Sequence, residues 1–152
     1  MKKAVVVDTQ LLVLLIVGSA DRIFIRKHKR LAPVYAEAQF DKLCAMLASA
    51  PRLVCTAHVL TETSNLLRQI ADPMRSEIMA AFKRFLDLAD ERHVQGARAA
   101  EHPLFLRLGL TDAAILSLDP KEVQVLTVDH DLYRASLERG FDARNLTPYF
   151  FE

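Results

Sequence analysis

The chain has 152 residues, 51% hydrophobic and 26% charged, with only four Gly and six Pro, which excludes a disordered or fibrous protein. Its length is that of one domain spanning 1–152, long enough to bury roughly two thirds of the surface its unfolded form exposes. A net charge of +1 gives no global electrostatic reason to expect a polyanion partner.

In chain order, Ala4-Val5-Val6-Val7 reads as a strand buried on both faces, and Leu11, Leu12, Leu14, Leu15 and Ile16 as the helix packed against it. A charged stretch from Asp21 to Ala32 leads past Pro33 into a helix over about 36–48. That helix carries Phe40, Leu43, Cys44 and Leu47 at i, i+3, i+4 and i+7, and Pro51 closes it. Leu53 to Thr56 is a short strand feeding a helix from about Ala57 to Ile70, which stops before Asp72-Pro73. Ile78, Met79, Phe82, Phe85, Leu86 and Ala89 form the apolar stripe of the next helix, and Val94-Gln95 is a candidate minor strand.

Pro103 to Leu108 reads as a short helical segment broken by Gly109. Thr111 is the candidate N-cap of a helix to about Leu118, so that Asp112 falls in its first turn. The strand Val123–Val128, a helix from His130 to about Arg139 stopped by Gly140, and a last strand near 143–146 complete the series. Strands alternating with helices imply an α/β fold with a parallel sheet covered on both faces.

Ala4 to Gly18 is the most hydrophobic stretch, yet Asp8, Thr9 and Gln10 interrupt it. It is also shorter than the ~20 apolar residues of a membrane span and has no small-residue cleavage site, so a cytoplasmic location without membrane contact is expected. Cys44 and Cys55 lack metal-ligand spacing and read as buried, reduced thiols.

Four acids, Asp8, Glu62, Asp112 and Asp129, fall where this reading puts the carboxyl ends of the strands, the place where open α/β sheets collect ligands. Each has a bland alternative. Asp112 suits the positive end of a helix dipole, Asp129 suits an N-cap, and Glu62 lies at the wet edge of its helix beside His58 and Asn65. Asp8, between two apolar runs, is the hardest to dismiss, because a desolvated carboxylate without a partner costs free energy. Four carboxylates at one sheet end would repel one another unless a cation neutralised them. All-oxygen ligands favour Mg²⁺ or Mn²⁺, an ion suited to phosphodiester hydrolysis. A basic run, Arg22, Arg26, Lys27, His28, Lys29 and Arg30, is open to two readings: a solvated face, or a contact with RNA or a protein partner.

The chain resembles the PIN-domain nuclease family over essentially its full length. The resemblance rests on Val5-Val6-Val7-Asp8-Thr9, on Leu60-Thr61-Glu62, on Leu110-Thr111-Asp112-Ala113, and on Leu126-Thr127-Val128-Asp129-His130-Asp131. It departs at Gln10, where many members have Asn or Ser, and in a longer stretch between Asp8 and Glu62. The resemblance implies a three-layer α/β/α fold around a mostly parallel sheet of four to five strands. It implies Asp8, Glu62, Asp112 and Asp129 as catalytic metal ligands, with the hydroxyl of Thr9 or Thr127 orienting them, while Asp131 is open to two readings, support of the metal through water or a residue that favours the helix start. It further implies a Mg²⁺- or Mn²⁺-dependent endoribonuclease, the toxin of a type II toxin–antitoxin pair with an antitoxin as partner; a noncatalytic PIN-like module binding RNA or protein is the alternative. A homodimer through the helices at 40–47 and 78–86 is also considered, beside plain core packing. A phosphoaspartyl or receiver-type Asp8 lacks its companions: Gln10 stands where the phosphatases need an acid, and Asp129 where a receiver needs Lys. No Gly-x-Ser-x-Gly elbow, Gly-rich phosphate loop or His-Glu-x-x-His helix occurs.

Overall fold

The valine run forms strand β1 (Ala4–Val7) with all four residues buried, as β-branched side chains with no polar alternation require. The computed structural model that defines this architecture describes residues 2–152. Helix α1 (Thr9–Ala20) follows after a single residue and is apolar on every face, so Leu11, Leu12, Val13, Leu14, Ile16 and Val17 are all buried. Burying such side chains stabilises the fold by roughly 1.5–3 kcal/mol each. Around α1 pack α2 (Glu37–Leu47), α3 (Ala57–Leu67) and α4 (Met74–Leu88). Helix α2 approaches so closely at Gly18 that a Cβ there would lie 2.1 Å from Cδ1 of Phe40.

Strand β4 (Val123–Thr127) pairs in parallel with β1 in the register Val5↔Gln124 and Val7↔Leu126, and on its other edge with β5 (Asp142–Asn145). Strands β2 (Val54–Thr56) and β3 (Asp90–Arg92) form a separate parallel pair. A single bridge, Val5↔Leu53, and the hydrogen bond from Val5 N–H to the Arg52 carbonyl join this pair to β1. The spatial sequence is therefore β3, β2, β1, β4, β5, and the order reverses between β1 and β4, where open α/β sheets form their ligand crevice. Helices flank the strands throughout: α8 (His130–Glu138) packs on β4 and β5, and α7 (Leu110–Leu116) meets α3 and α8.

The α/β class and parallel pairing match the expectation, whereas the continuous sheet has three strands and not four to five. β2 is only three residues long and meets β1 through one bridge, too little to extend the ladder. The minor strand lies at Asp90–Arg92 and not at Val94-Gln95. Register with β2 decides its place: Val54 pairs with Asp90 and Thr56 with Arg92, while Arg52 and Arg92 both grip the Asp90 carboxylate. Thr111 is not an N-cap. Helix α7 begins two residues earlier, capped by Gly109 at φ +88°, a conformation with positive φ that glycine adopts without steric penalty.

Three short elements carry too little periodicity to be anticipated: a 3₁₀ turn at Arg22–Arg26, helix α5 (Gly96–Ala99) and the terminal helix α9 (Thr147–Phe151). Helix α6 (Phe105–Leu108) completes the set. Phe40, Leu43, Ile78 and Phe82, considered for a dimer face, are buried in the core, which leaves Leu86 and Leu88 exposed on α4. Cys55 is buried and Cys44 half-buried, both as free thiols. No helix among the described residues is long and apolar enough to cross a membrane.

Candidate functional site

Asp8 and Asp129 arise from the same local design, an acid that ends a strand and caps the next helix. Asp8 Oδ1 accepts the Leu11 N–H at 2.9 Å, satisfying an orphan donor in the first turn of α1. Asp129 Oδ1 accepts the N–H groups of Asp131 (2.8 Å) and Leu132 (3.1 Å) at the start of α8. Because β1 and β4 are neighbours, the two caps lie side by side, and Thr127 ties them together. Its hydroxyl donates to Asp8 Oδ2 and accepts the Asp129 N–H at 2.9 Å, while Val128 N–H also donates to Asp8 Oδ2 at 2.9 Å.

The other two acids come from facing helices. Glu62 projects from α3 and accepts a hydrogen bond from the Thr111 hydroxyl of α7. Asp112 is the next residue along α7, half-buried. Asp8, Glu62, Asp112 and Asp129 line one cavity of about 410 Å³, together with Thr9, Gln10, Arg30, Leu66, Leu108, Val128 and Leu132. All four acids named from the sequence thus meet in one place. Asp131 does not line that cavity; its N–H serves the Asp129 cap, and its carboxylate acts on Asp112 through its charge.

Burial raises Asp8 above the ordinary carboxylate range despite its three donors, and the charge of Asp129 adds to the rise. Asp112 goes up to about 7, chiefly through burial and then through the negative charges of Asp129, Asp8, Glu62 and Asp131. Asp112 thus feels the charge of four other carboxylates, and it forms no salt bridge among the described residues. Tyr35, buried nearby and edge-on to Phe150, is pushed up to about 12 by burial and by the charge of Asp8, so its phenol stays protonated.

The remaining lone pairs suit a hard cation. Of roughly four acceptor positions on a carboxylate, Asp8 has three engaged, whereas Glu62 Oε1, Asp129 Oδ2 and both oxygens of Asp112 accept no protein hydrogen bond among the described residues. The Thr9 hydroxyl, in the cavity wall, is buried without a partner. Against this, no group of three or more His, Cys, Asp or Glu among the described residues is drawn tightly enough to be a ready-made metal cage. An all-oxygen donor set is the chemistry that hard divalent cations such as Mg²⁺ or Mn²⁺ take.

The basic run divides. Arg22 pairs with Asp41 at 2.6 Å and Arg26 with Glu37 at 2.6 Å, both acids on α2. His28 is not on a solvated face at all: its ring is fully buried, with Nε2 3.2 Å from the Leu67 carbonyl. Lys27 and Lys29 are exposed and lie outside the cavity wall, and Arg30 lines it. Thr111, expected only as a cap, and Arg30, named only as one of a run, are the side chains whose importance the sequence understated; nothing local marks either one.

Comparison with family models, with curated proteins and with solved structures returns no match for this chain.

Proposed function

We propose that the chain is a metal-dependent endoribonuclease of the PIN-domain type, with Asp8, Glu62, Asp112 and Asp129 as the ligands of Mg²⁺ or Mn²⁺. The observation that carries this reading is the shared cavity: acids as far apart in sequence as positions 8 and 129 converge at the reversal of strand order, where Asp112 forms no salt bridge among the described residues. When bound, the ion would neutralise these carboxylates and lower the pKa of a water so that it can give up a proton and attack phosphorus as hydroxide. The chain's own groups hold the site open for it. Leu11, Thr127 and Val128 orient Asp8, Thr111 orients Glu62, and the start of α8 holds one oxygen of Asp129 while leaving the other free. Hydrolysis adds water across a phosphodiester P–O bond, leaving phosphate on one RNA fragment and hydroxyl on the other. The same resemblance supports a growth-inhibiting ribonuclease restrained by a cognate antitoxin.

The test is purified protein with defined RNAs in Mn²⁺, Mg²⁺ or EDTA, beside Asp8→Asn prepared identically. Cleavage should require the ion and fall more than about a hundredfold in the variant. Activity indifferent to both EDTA and the substitution would belong to a contaminant, and the reading would be lost. A noncatalytic RNA- or protein-binding module is the second reading. A binder of that kind keeps its RNA affinity in Asp8→Asn and cleaves in neither form.

A further inference from the structure

Arg30 is the one basic side chain lining the acid cavity among the described residues, and it forms no ion pair with any carboxylate there. Its backbone is firmly placed. The Arg30 N–H donates to Nδ1 of buried His28 at 3.2 Å, which assigns the proton of that ring to Nε2, facing the Leu67 carbonyl of α3. Burial holds His28 below its ordinary value, so the ring stays neutral and keeps both contacts. On one side of Arg30 the Lys29 N–H reaches the Gln69 carbonyl at 3.4 Å, and on the other Leu31 is fully buried. The exposed guanidinium therefore stands on an anchored loop at the rim of a strongly anionic cavity, while its neighbours Arg22 and Arg26 are engaged by α2.

A guanidinium that shares a cavity with four carboxylates yet pairs with none has its fork of donors available for another planar or tetrahedral anion. RNA entering an acid-lined cavity needs such a group, because the carboxylates not neutralised by metal repel its backbone. Resting on the nuclease reading above, we propose that Arg30 anchors a phosphodiester of the RNA backbone beside the one that is hydrolysed. It is a positioning and affinity residue, distinct in role from the four acids.

The experiment places Arg30→Ala, Arg30→Lys and Lys29→Ala in an Asp8→Asn background that leaves RNA intact. Affinity for a labelled single-stranded RNA is read by fluorescence anisotropy in Mg²⁺ over a range of salt. Arg30→Ala should weaken binding about tenfold or more and lower the salt slope by about 0.7, the value of one phosphate contact on single strands. Arg30→Lys should recover only part of that loss, and Lys29→Ala should have a smaller effect than Arg30→Ala. In the otherwise native chain, Arg30→Ala should leave the thermal shift produced by Mn²⁺ undiminished, since the metal ligands are untouched. Unchanged RNA affinity in Arg30→Ala, an equal effect from Lys29→Ala, or loss of the Mn²⁺ shift would each overturn the proposal; the last would make Arg30 a brace for the acids. If the native protein shows no ion-dependent cleavage but Arg30→Ala still loses RNA affinity, the nuclease reading fails and the anchor survives.

Discussion

The β1–α1 and β4–α8 junctions use one device in two environments. Each ends a parallel strand with an aspartate that caps the following helix, and the strands are hydrogen-bonded neighbours. Yet Asp8 is buried and held by three donors, whereas Asp129 is exposed and keeps one oxygen free of protein hydrogen bonds. The helices make the difference. α1 is apolar all round and sits among α2, α3 and α4, so its cap is enclosed with it; α8 buries only Leu132, Ala135 and Ser136 and leaves its cap at the rim. Helix capping is a local rule, but what the cap can do besides capping depends on what the helix is buried in.

Breaking the two caps in turn should expose that contrast most strongly. In EDTA, Asp8→Ala leaves the Leu11 and Val128 N–H groups and the Thr127 hydroxyl without their acceptor, and should cost about 2–3 kcal/mol in a urea or guanidinium titration. Asp129→Ala loses a solvent-accessible cap and should cost about 1 kcal/mol or less, partly offset by relief of Asp112. Equal costs would mean that burial does not distinguish the junctions.

Thr127→Val cuts the link between them. It should destabilise by about 1–2 kcal/mol and reduce ion-dependent cleavage roughly tenfold to a hundredfold, with the same loss in Mn²⁺ affinity. A variant with native Mn²⁺ affinity would make Thr127 a purely structural bridge.

The smallest effect expected is on pH dependence. Asp112 stands at about 7 in the folded chain against 3.8 as its ordinary value, so its contribution to stability is full below about 4 and is lost as pH rises toward 7. Asp8, also raised, acts with the same sign. The metal-free protein should therefore melt at a lower temperature at pH 8 than at pH 5, the gap should narrow in Asp112→Asn, and Mn²⁺ should raise the melting temperature more at pH 8. A metal-free melting temperature that climbs steadily from pH 5 to 8 would contradict the repulsion described for the acid cavity.

Much of this arrangement could be read along the chain. Val5 to Val7 announces a buried strand because nothing polar alternates within it, the run Val123 to Thr127 does so by its β-branched and apolar residues with Gln124 as the one half-buried exception, and the helices at 57–67, 74–88 and 130–138 announce themselves by apolar spacing. The four acids stood out because two come within two residues of the ends of those strands, one lies in the first turn of a helix and one a turn further into another. Other features were illegible for physical reasons. A three-residue strand such as Asp90–Arg92 has no periodicity of its own, and its charged side chains became strand because β2 offered a free edge and Arg52 a counter-charge. Arg30 looks like Lys27 and Lys29 in any local window; contact with α3 through His28 singles it out.

What the sequence determined by itself was the class of fold and the identity of the acids, since strand burial, helix amphipathy and capping depend on neighbours within a few residues. Only the tertiary structure decided that Asp8 is enclosed while Asp129 is open, that Thr127 and Thr111 are the hydroxyls holding carboxylates, and that one arginine of a basic run faces the acids. Those outcomes depend on which distant surfaces meet when the order of strands reverses, and desolvation and charge repulsion take their values from that meeting.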